Sequence, residues 1–267
     1  GRVEFIAAVV VRRLGLELGS AGVDGLEHRA DAQRPAQGTH PVLTGELRAH
    51  RGDLGVAEAQ VEAAVQAVVR RDTTIAAQVM QSDLRVDGYE RDVDAETLRL
   101  LALRQPMASD LREIVSALKI AADLERIGDY AANIAKRSLA LAQVPAVRPA
   151  GAIPRMGRLV QEIMKDVLDA FIERDVDKAV AARGRDEELD DLYTSLFREF
   201  LTYMMEDPRN ITPCMHLHFI AKNIERMGDH ATGIAEQVIY LATGELPDDA
   251  RPKSESVTRA NLNEGED

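Results

Sequence analysis

One phrase of this sequence occurs twice, 100 residues apart, and it restricts the fold more than any other feature. The first copy runs over residues 120–135 and the second over residues 220–235. Both copies contain Glu-Arg-x-Gly-Asp, at 125–129 and at 225–229, among Ile and Ala residues at matching positions. A repeat of this length indicates that one structural unit was built twice. We therefore expect two similar helical units, each carrying the same pair of acids.

Further landmarks repeat upstream of this phrase, at a spacing of 103 residues. They are, in pairs, Arg71-Asp72 with Arg174-Asp175, Asp83 with Asp186, and Asp87 with Asp190. The spacing changes from 103 to 100 near Pro106 in the first copy and near Pro208–Pro213 in the second. Because proline interrupts helices, the change in length falls where a connection between two helices is expected.

The composition and the apolar periodicity favour an all-helical chain. Only 4% of the residues are aromatic and Trp is absent, so Ala, Leu, Val and Ile carry most of the apolar content. Apolar residues recur at three- and four-residue steps over three long stretches in each copy. In the second copy, the middle stretch predicts one helix over 175–205. The fold class predicted is all-α, a tandem repeat of two three-helix bundles.

Composition also predicts where these units begin and end. The segments are residues 1–45, without a helical period and outside the repeat; 46–144, the first bundle; 145–154, a linker rich in Pro, Gly and Ala; 155–243, the second bundle; and 244–267, a polar tail expected to be disordered.

Charge and cysteine content restrict the partners and the location. The formal net charge of −12 argues against nucleic-acid binding, which requires a basic face. The single cysteine, Cys214, excludes an intrachain disulfide and fits a reducing compartment. No apolar run approaches the roughly 20 residues that span a bilayer. These features predict a cytoplasmic protein.

The repeated acids form the candidate site. Glu125 and Asp129 are four residues apart, so they share one helix face, and the stripe around them is otherwise apolar or small. Four carboxylates gathered in each bundle would repel one another, and a bound cation would relieve the repulsion. Oxygen ligands suit Fe³⁺, Mn²⁺, Mg²⁺ or Ca²⁺. The predicted metal ligands are Asp83, Asp87, Glu125 and Asp129 in the first bundle, and Asp186, Asp190, Glu225 and Asp229 in the second.

Other readings of these acids stay open. Arg126 and Arg226 could pair locally with the neighbouring carboxylates, and an acid pair at this spacing is commonly a solvated face. His218 lies one heptad before Glu225 and is an additional candidate ligand, although its counterpart Leu118 is apolar. Cys214 lacks the second Cys or His spacing of a zinc site.

Motifs for catalysis are missing from the sequence. It contains no Gly-x-Ser-x-Gly, no P-loop and no Gly-x-Gly-x-x-Gly, and no Glu-x-x-His of ferritin-like di-iron proteins. Tyr130 and His230 are expected to point away from the carboxylate face. We predict no enzyme activity, and a metal-free helical scaffold or a carboxylate-bridged metal enzyme remain the alternatives.

The two copies of the phrase, Asp123–Asp129 and Asn223–Asp229, resemble the acidic motif Glu/Asp-x-x-x-Asp of the PhoU family. The segment Leu103–Arg112 also resembles that family's connection between helices, and the resemblance covers about residues 54–240. It implies a tandem of two three-helix bundles. It also implies multinuclear metal clusters held by the eight acids named above, with iron preferred over zinc, manganese or magnesium.

The same resemblance implies a role that spacing alone does not indicate. PhoU proteins are negative regulators of phosphate uptake and of the phosphate-starvation response. The implied partners are a phosphate ABC transporter, through its ATPase subunit, and a sensor histidine kinase. The chain would then be peripheral to the membrane through these partners, and a homodimer is expected.

Overall fold

The computed structural model describes residues 56–104, 109–147 and 151–247. The predictions made for residues 1–45 and for most of the 244–267 tail lie outside these ranges. Seven α-helices and one turn of 3₁₀ helix make up the described part, which contains no β-strand. They are α1 (Val56–Arg70), α2 (Thr73–Arg104), α3 (Ser109–Ala142), α4 (Ile153–Glu173), α5 (Val176–Gly184), α6 (Asp186–Glu206), the 3₁₀ turn (Pro208–Asn210) and α7 (Ile211–Thr243).

The helices form two units with the same plan. In unit 1, α3 packs against α1 and α2; in unit 2, α7 packs against α4, α5 and α6. Each unit thus places the helix that carries the repeated phrase against all the others. The predicted all-α fold, a tandem of two helical bundles, is confirmed.

The middle helix of unit 2 differs from the prediction of one helix over 175–205. It is broken into α5 and α6 at Arg185, whose N–H bonds the carbonyls of Ala182 and Arg183. The Arg185 guanidinium bonds Glu162 at 2.5 Å and Asp166 at 3.3 Å, both on α4. These contacts stabilise the break between α5 and α6. Because they are made with a neighbouring helix, the local sequence pattern did not predict the break.

The repeated Arg-Asp pair marks the turn between the first two helices of each unit. Arg71 and Arg174 have φ angles of 54° and 55°, in the left-handed region that ends a helix. The next residue then caps the following helix: Asp72 Oδ1 accepts from the backbone N–H of Thr74 at 2.8 Å, and Asp175 Oδ1 accepts from that of Lys178 at 3.0 Å. The pair repeats because the Arg ends one helix in the left-handed conformation and the Asp caps the start of the next.

The two units are joined along α3 and α7, which run antiparallel. Arg112, near the start of α3, lies over the ring of Tyr240 near the end of α7. Arg137, near the end of α3, lies over the ring of Phe219 near the start of α7.

Helices α1 and α4 form a second contact between the units. A Cβ atom added at Gly157 of α4 would lie 2.7 Å from Cγ2 of Val65 on α1, so only glycine permits this approach. Buried apolar residues of both units belong to one continuous core. No described helix is long and apolar enough to cross a membrane.

Candidate functional site

In unit 2 the structure brings α6 against the acidic phrase of α7. A Cβ atom added at Gly228 would overlap the side chain of Leu189 and would lie 2.9 Å from Oδ1 of Asp186. Asp186 is therefore beside the backbone between Glu225 and Asp229. Gly228, which costs helix propensity, is explained by this close approach. From the sequence, the acids of the second and third helices are expected to gather, and Asp186 is an acid of the second helix that lies beside the phrase of α7.

Glu225 is well shielded from solvent, with 12% of its side chain exposed. Its Oε1 accepts from Nζ of Lys222 at 2.6 Å. Its Oε2 is buried and has no hydrogen-bond partner among the described atoms. An unpaired buried carboxylate oxygen is costly, and a cation at this position would remove the cost. Asp190 and Asp229 are both half-buried.

In unit 1 an arginine sits between the predicted ligands. Arg126 Nε lies 3.7 Å from Oε2 of Glu125, and its Nη1 bonds Oδ2 of Asp129 at 3.3 Å. This is the local pairing that the sequence left open as an alternative. Asp83 Oδ1 accepts from Gln60 Nε2 of α1 at 3.3 Å, and the Asp87 side chain is outside the described part.

The two units therefore differ in how their arginines are used. Arg226 is the counterpart of Arg126, but its guanidinium lies 5.9 Å from the ring centre of Tyr130 on α3. Lys222 takes over the pairing with Glu225. As a result, Glu225 pairs with a lysine, whereas its counterpart Glu125 pairs with an arginine.

Taken as metal ligands, the acids have suitable chemistry but are not gathered around one point. Among the residues described, no group of three or more His, Cys, Asp or Glu side chains is arranged to hold a metal ion. Carboxylate oxygens suit iron, manganese and magnesium, and the unpartnered Oε2 of Glu225 fits a cation. Further carboxylates would have to rotate toward it to complete a site.

His218 of α7 is surrounded by three aromatic side chains, two of them on α6. Its ring centre is 5.9 Å from that of Tyr193, 5.1 Å from Phe197 and 5.6 Å from Phe219. Burial lowers the pKa of His218 below its ordinary value, and the nearby Lys222 lowers it further. Its Nδ1 is buried without a hydrogen-bond partner in the described structure. A neutral imidazole is the form that ligates metals, so ligation by His218 stays a prediction.

Cys214, unlike His218, is held in a form that does not favour metal binding. It is fully buried, and burial together with Glu199 raises the pKa of its thiol. A thiol held protonated is a poor metal ligand and a poor nucleophile. This agrees with the sequence analysis, which gave Cys214 no part in a site.

A polar cluster between the units was missed from the sequence. His230 Nδ1 is 2.8 Å from Oδ1 of Asp123, and the Tyr130 hydroxyl is 3.5 Å from His230 Nε2. Gly233 makes room for Asp123, since a Cβ atom there would lie 3.1 Å from Oδ2. The helical wheel placed Tyr130 and His230 away from the carboxylate face but gave no indication that they meet across α3 and α7.

Comparison with known proteins gives a consistent result. The family model described as "PhoU domain" matches residues 54–138 and 153–238. Two relatives are both named phosphate-specific transport system accessory protein PhoU homolog. The one from Rhizobium meliloti is 51% identical over 205 residues, 76% of this chain and 86% of its own. The one from Xylella fastidiosa strain Temecula1 is 48% identical, over 78% of this chain and 86% of its own.

Solved structures agree with these relatives. PhoU from Pseudomonas aeruginosa superposes with a TM-score of 0.70 at 40% identity, covering 76% of this chain and 100% of that one. The phosphate transport system regulatory protein PhoU from Streptococcus pneumoniae gives a TM-score of 0.68 at 30% identity, with 78% and 98% covered.

Proposed function

Because this chain belongs to the PhoU family, we propose that it is an accessory protein of a phosphate-specific transport system and restrains phosphate uptake. One observation carries the proposal, which is that the similarity to proteins of that name extends over both units. The relative from Rhizobium meliloti is 51% identical to this chain. The regulation would be exerted by binding to other proteins rather than by catalysis.

The finer parts of the proposal concern partners and location. We propose a cytoplasmic protein, a homodimer, that contacts the ATPase subunit of a phosphate ABC transporter and a sensor histidine kinase. The named relatives support association with the transporter. The link to the kinase follows from the family's role in the phosphate-starvation response.

We further propose that the repeated carboxylates bind a multinuclear metal cluster, with iron preferred. Asp186, Asp190, Glu225 and Asp229 would hold it in unit 2, with His218 as an additional ligand. Asp83, Asp87, Glu125 and Asp129 would do so in unit 1. A bound cluster supplies positive charge to an acidic surface. The buried, unpartnered Oε2 of Glu225 supports the site in unit 2.

A metal-free scaffold is the second candidate for unit 1. Its support is Arg126, which already neutralises Glu125 and Asp129. If this candidate is right, unit 2 binds metal and unit 1 does not. Metal stoichiometry in variants of each unit separates the two outcomes.

Regulation of phosphate uptake is tested by deleting the gene in its own host. Deletion is expected to raise uptake of radiolabelled phosphate and to alter a phosphate-starvation reporter, and the wild-type gene to restore both. Unchanged uptake and reporter in the deletion strain would contradict the proposed regulation.

Metal binding is tested by elemental mass spectrometry on untagged protein. We expect several metal ions per chain, with loss from unit 2 in the double variant Glu225→Gln, Asp229→Asn. The matched control is Glu187→Gln, Asp191→Asn, an exposed acid pair with the same spacing on α6, which should keep the wild-type content. Metal-free wild-type protein after incubation with iron salts would refute the cluster.

A further inference from the structure

One face of α7 exposes three large apolar side chains in a row. Ile211, Met215 and Phe219 follow one another at four-residue steps and are 46%, 38% and 41% exposed. Residues at this spacing lie on one helix face, so together they form a continuous strip, here called the α7 stripe. Single exposed apolar residues are ordinary, whereas contiguous ones mark interaction sites.

Cations without acidic partners stand at the end of the α7 stripe. Arg137 of α3 lies 4.0 Å from the ring centre of Phe219, and Arg226 follows on the same face of α7, near the Tyr130 ring. In the described part of the chain, neither guanidinium has a carboxylate at ion-pairing distance, whereas Arg126 has two. These unpaired cations stand out in a chain with a formal net charge of −12.

The first two positions of the α7 stripe have exposed apolar counterparts in unit 1. Leu111 and Val115 are exposed at the start of α3, 100 residues before Ile211 and Met215. Lys119, also exposed, takes the position of Phe219. An exposed apolar pair at these two positions is thus a property of the repeat, whereas the third position is a cation in unit 1 and an aromatic ring in unit 2. The core does not explain it, because these residues do not contribute to the core.

We propose that the α7 stripe, together with Arg137 and Arg226, is the docking surface for an amphipathic segment of a partner protein that is apolar on one side and acidic beyond it. Charge complementarity selects this partner: the apolar side would cover Ile211, Met215 and Phe219, and Asp or Glu side chains would meet the two arginines. An amphipathic helix in a groove formed by two helices, here α3 and α7, is a recurring mode of recognition.

This inference rests on the proposed function only in that a regulator of transport must bind another protein. Two other occupants are less compatible with the surface. A second copy of the chain docked by the same stripe would bring like charges together. An anionic membrane would attract a basic face, but would be repelled by the rest of an acidic chain.

Site-specific photocrosslinking in the native host tests the proposal. A benzophenone amino acid replaces Met215 in the full chain, and the crosslinked peptides are identified by mass spectrometry. The expected product is a segment of another protein with apolar residues at helical spacing and acidic residues beside them. A peptide without acids, a second copy of this chain, lipid alone, or no crosslink would each overturn the proposal.

The second test reverses the charge of each arginine. It measures how tightly the variants bind a synthetic peptide that has the sequence identified by crosslinking. Arg226→Glu and Arg137→Glu are each expected to weaken binding about tenfold in fluorescence anisotropy. Arg198→Glu is the control, because Arg198 is exposed, as Arg226 is, but lies on α6. Changing the acids of the peptide to Lys should restore binding to Arg226→Glu. Circular dichroism checks that every variant is folded.

Failure here is distinguishable from failure of the proposed function. If deletion of the gene alters phosphate uptake while the Met215 crosslinks find no acidic segment, the regulator stands and this docking surface is wrong. Equal peptide binding by wild type and both charge-reversed variants would also refute the surface.

Discussion

Gly228 is where the acidic phrase meets the neighbouring helix, and its missing side chain is what lets α6 approach. Gly228→Ala places a methyl group against the fully buried side chain of Leu189 and close to Oδ1 of Asp186. We expect a net loss of about 1–2 kcal/mol in the free energy of unfolding, because overpacking outweighs the gain in helix propensity. Urea denaturation measures it.

Gly88 is the matched control for this prediction. It also lies inside a long helix, α2, but an added Cβ atom would meet nothing within 4 Å. Gly88→Ala should therefore stabilise the protein by up to about 1 kcal/mol. A gain in stability for both variants would show that α6 does not press on Gly228.

His218 predicts a dependence of stability on pH. Burial lowers its pKa in the folded state below the ordinary 6.5, so the unfolded chain binds more protons as the pH falls below 6.5. The free energy of unfolding is therefore expected to fall as the pH is lowered below 6.5. His218→Phe keeps an aromatic ring and removes the proton. Thermal melts from about pH 7 to about 5 should fall less steeply for this variant than for the wild type; equal slopes would contradict the prediction.

At the scale of elements, the turn between α1 and α2 is fixed by Asp72. Its Oδ1 accepts from the backbone N–H groups of Thr74 and Ile75, which have no partner within their own helix. Asp72→Ala should cost about 1 kcal/mol of stability. Asp72→Asn keeps the acceptor and should cost much less. Chemical denaturation compares the two, and an equal loss would mean that charge, not capping, is responsible.

The elements also show what local pattern can and cannot reveal. Apolar residues at three- and four-residue steps, together with the repeat, located the long helices α3 and α7, since their apolar faces are continuous along the chain. The break between α5 and α6 was not predicted, because it depends on Arg185 bonding Glu162 and Asp166 of α4. A contact with a residue more than 15 positions away has no local signature.

For the whole molecule, the continuous core predicts cooperative unfolding. The contacts α3–α7 and α1–α4 join the two units, and buried residues run through both. Calorimetry should show one transition, with equal calorimetric and van't Hoff enthalpies. Gly157→Ala crowds Val65 of the other unit and should lower the midpoint of that single transition. Two resolved transitions would show that the units unfold independently.

The sequence by itself determined the helical class, the duplication and the positions of the repeated acids, because each of these depends on residue type and on spacing along one chain. Only the tertiary structure decided how each acid is neutralised. Glu125 and Asp129 share Arg126 of their own helix, while Glu225 keeps one buried oxygen without a partner. The fold likewise decided that Asp123 meets His230 across the two units. Electrostatic environment depends on distances through space, and two similar phrases acquire different surroundings once each packs against different neighbours.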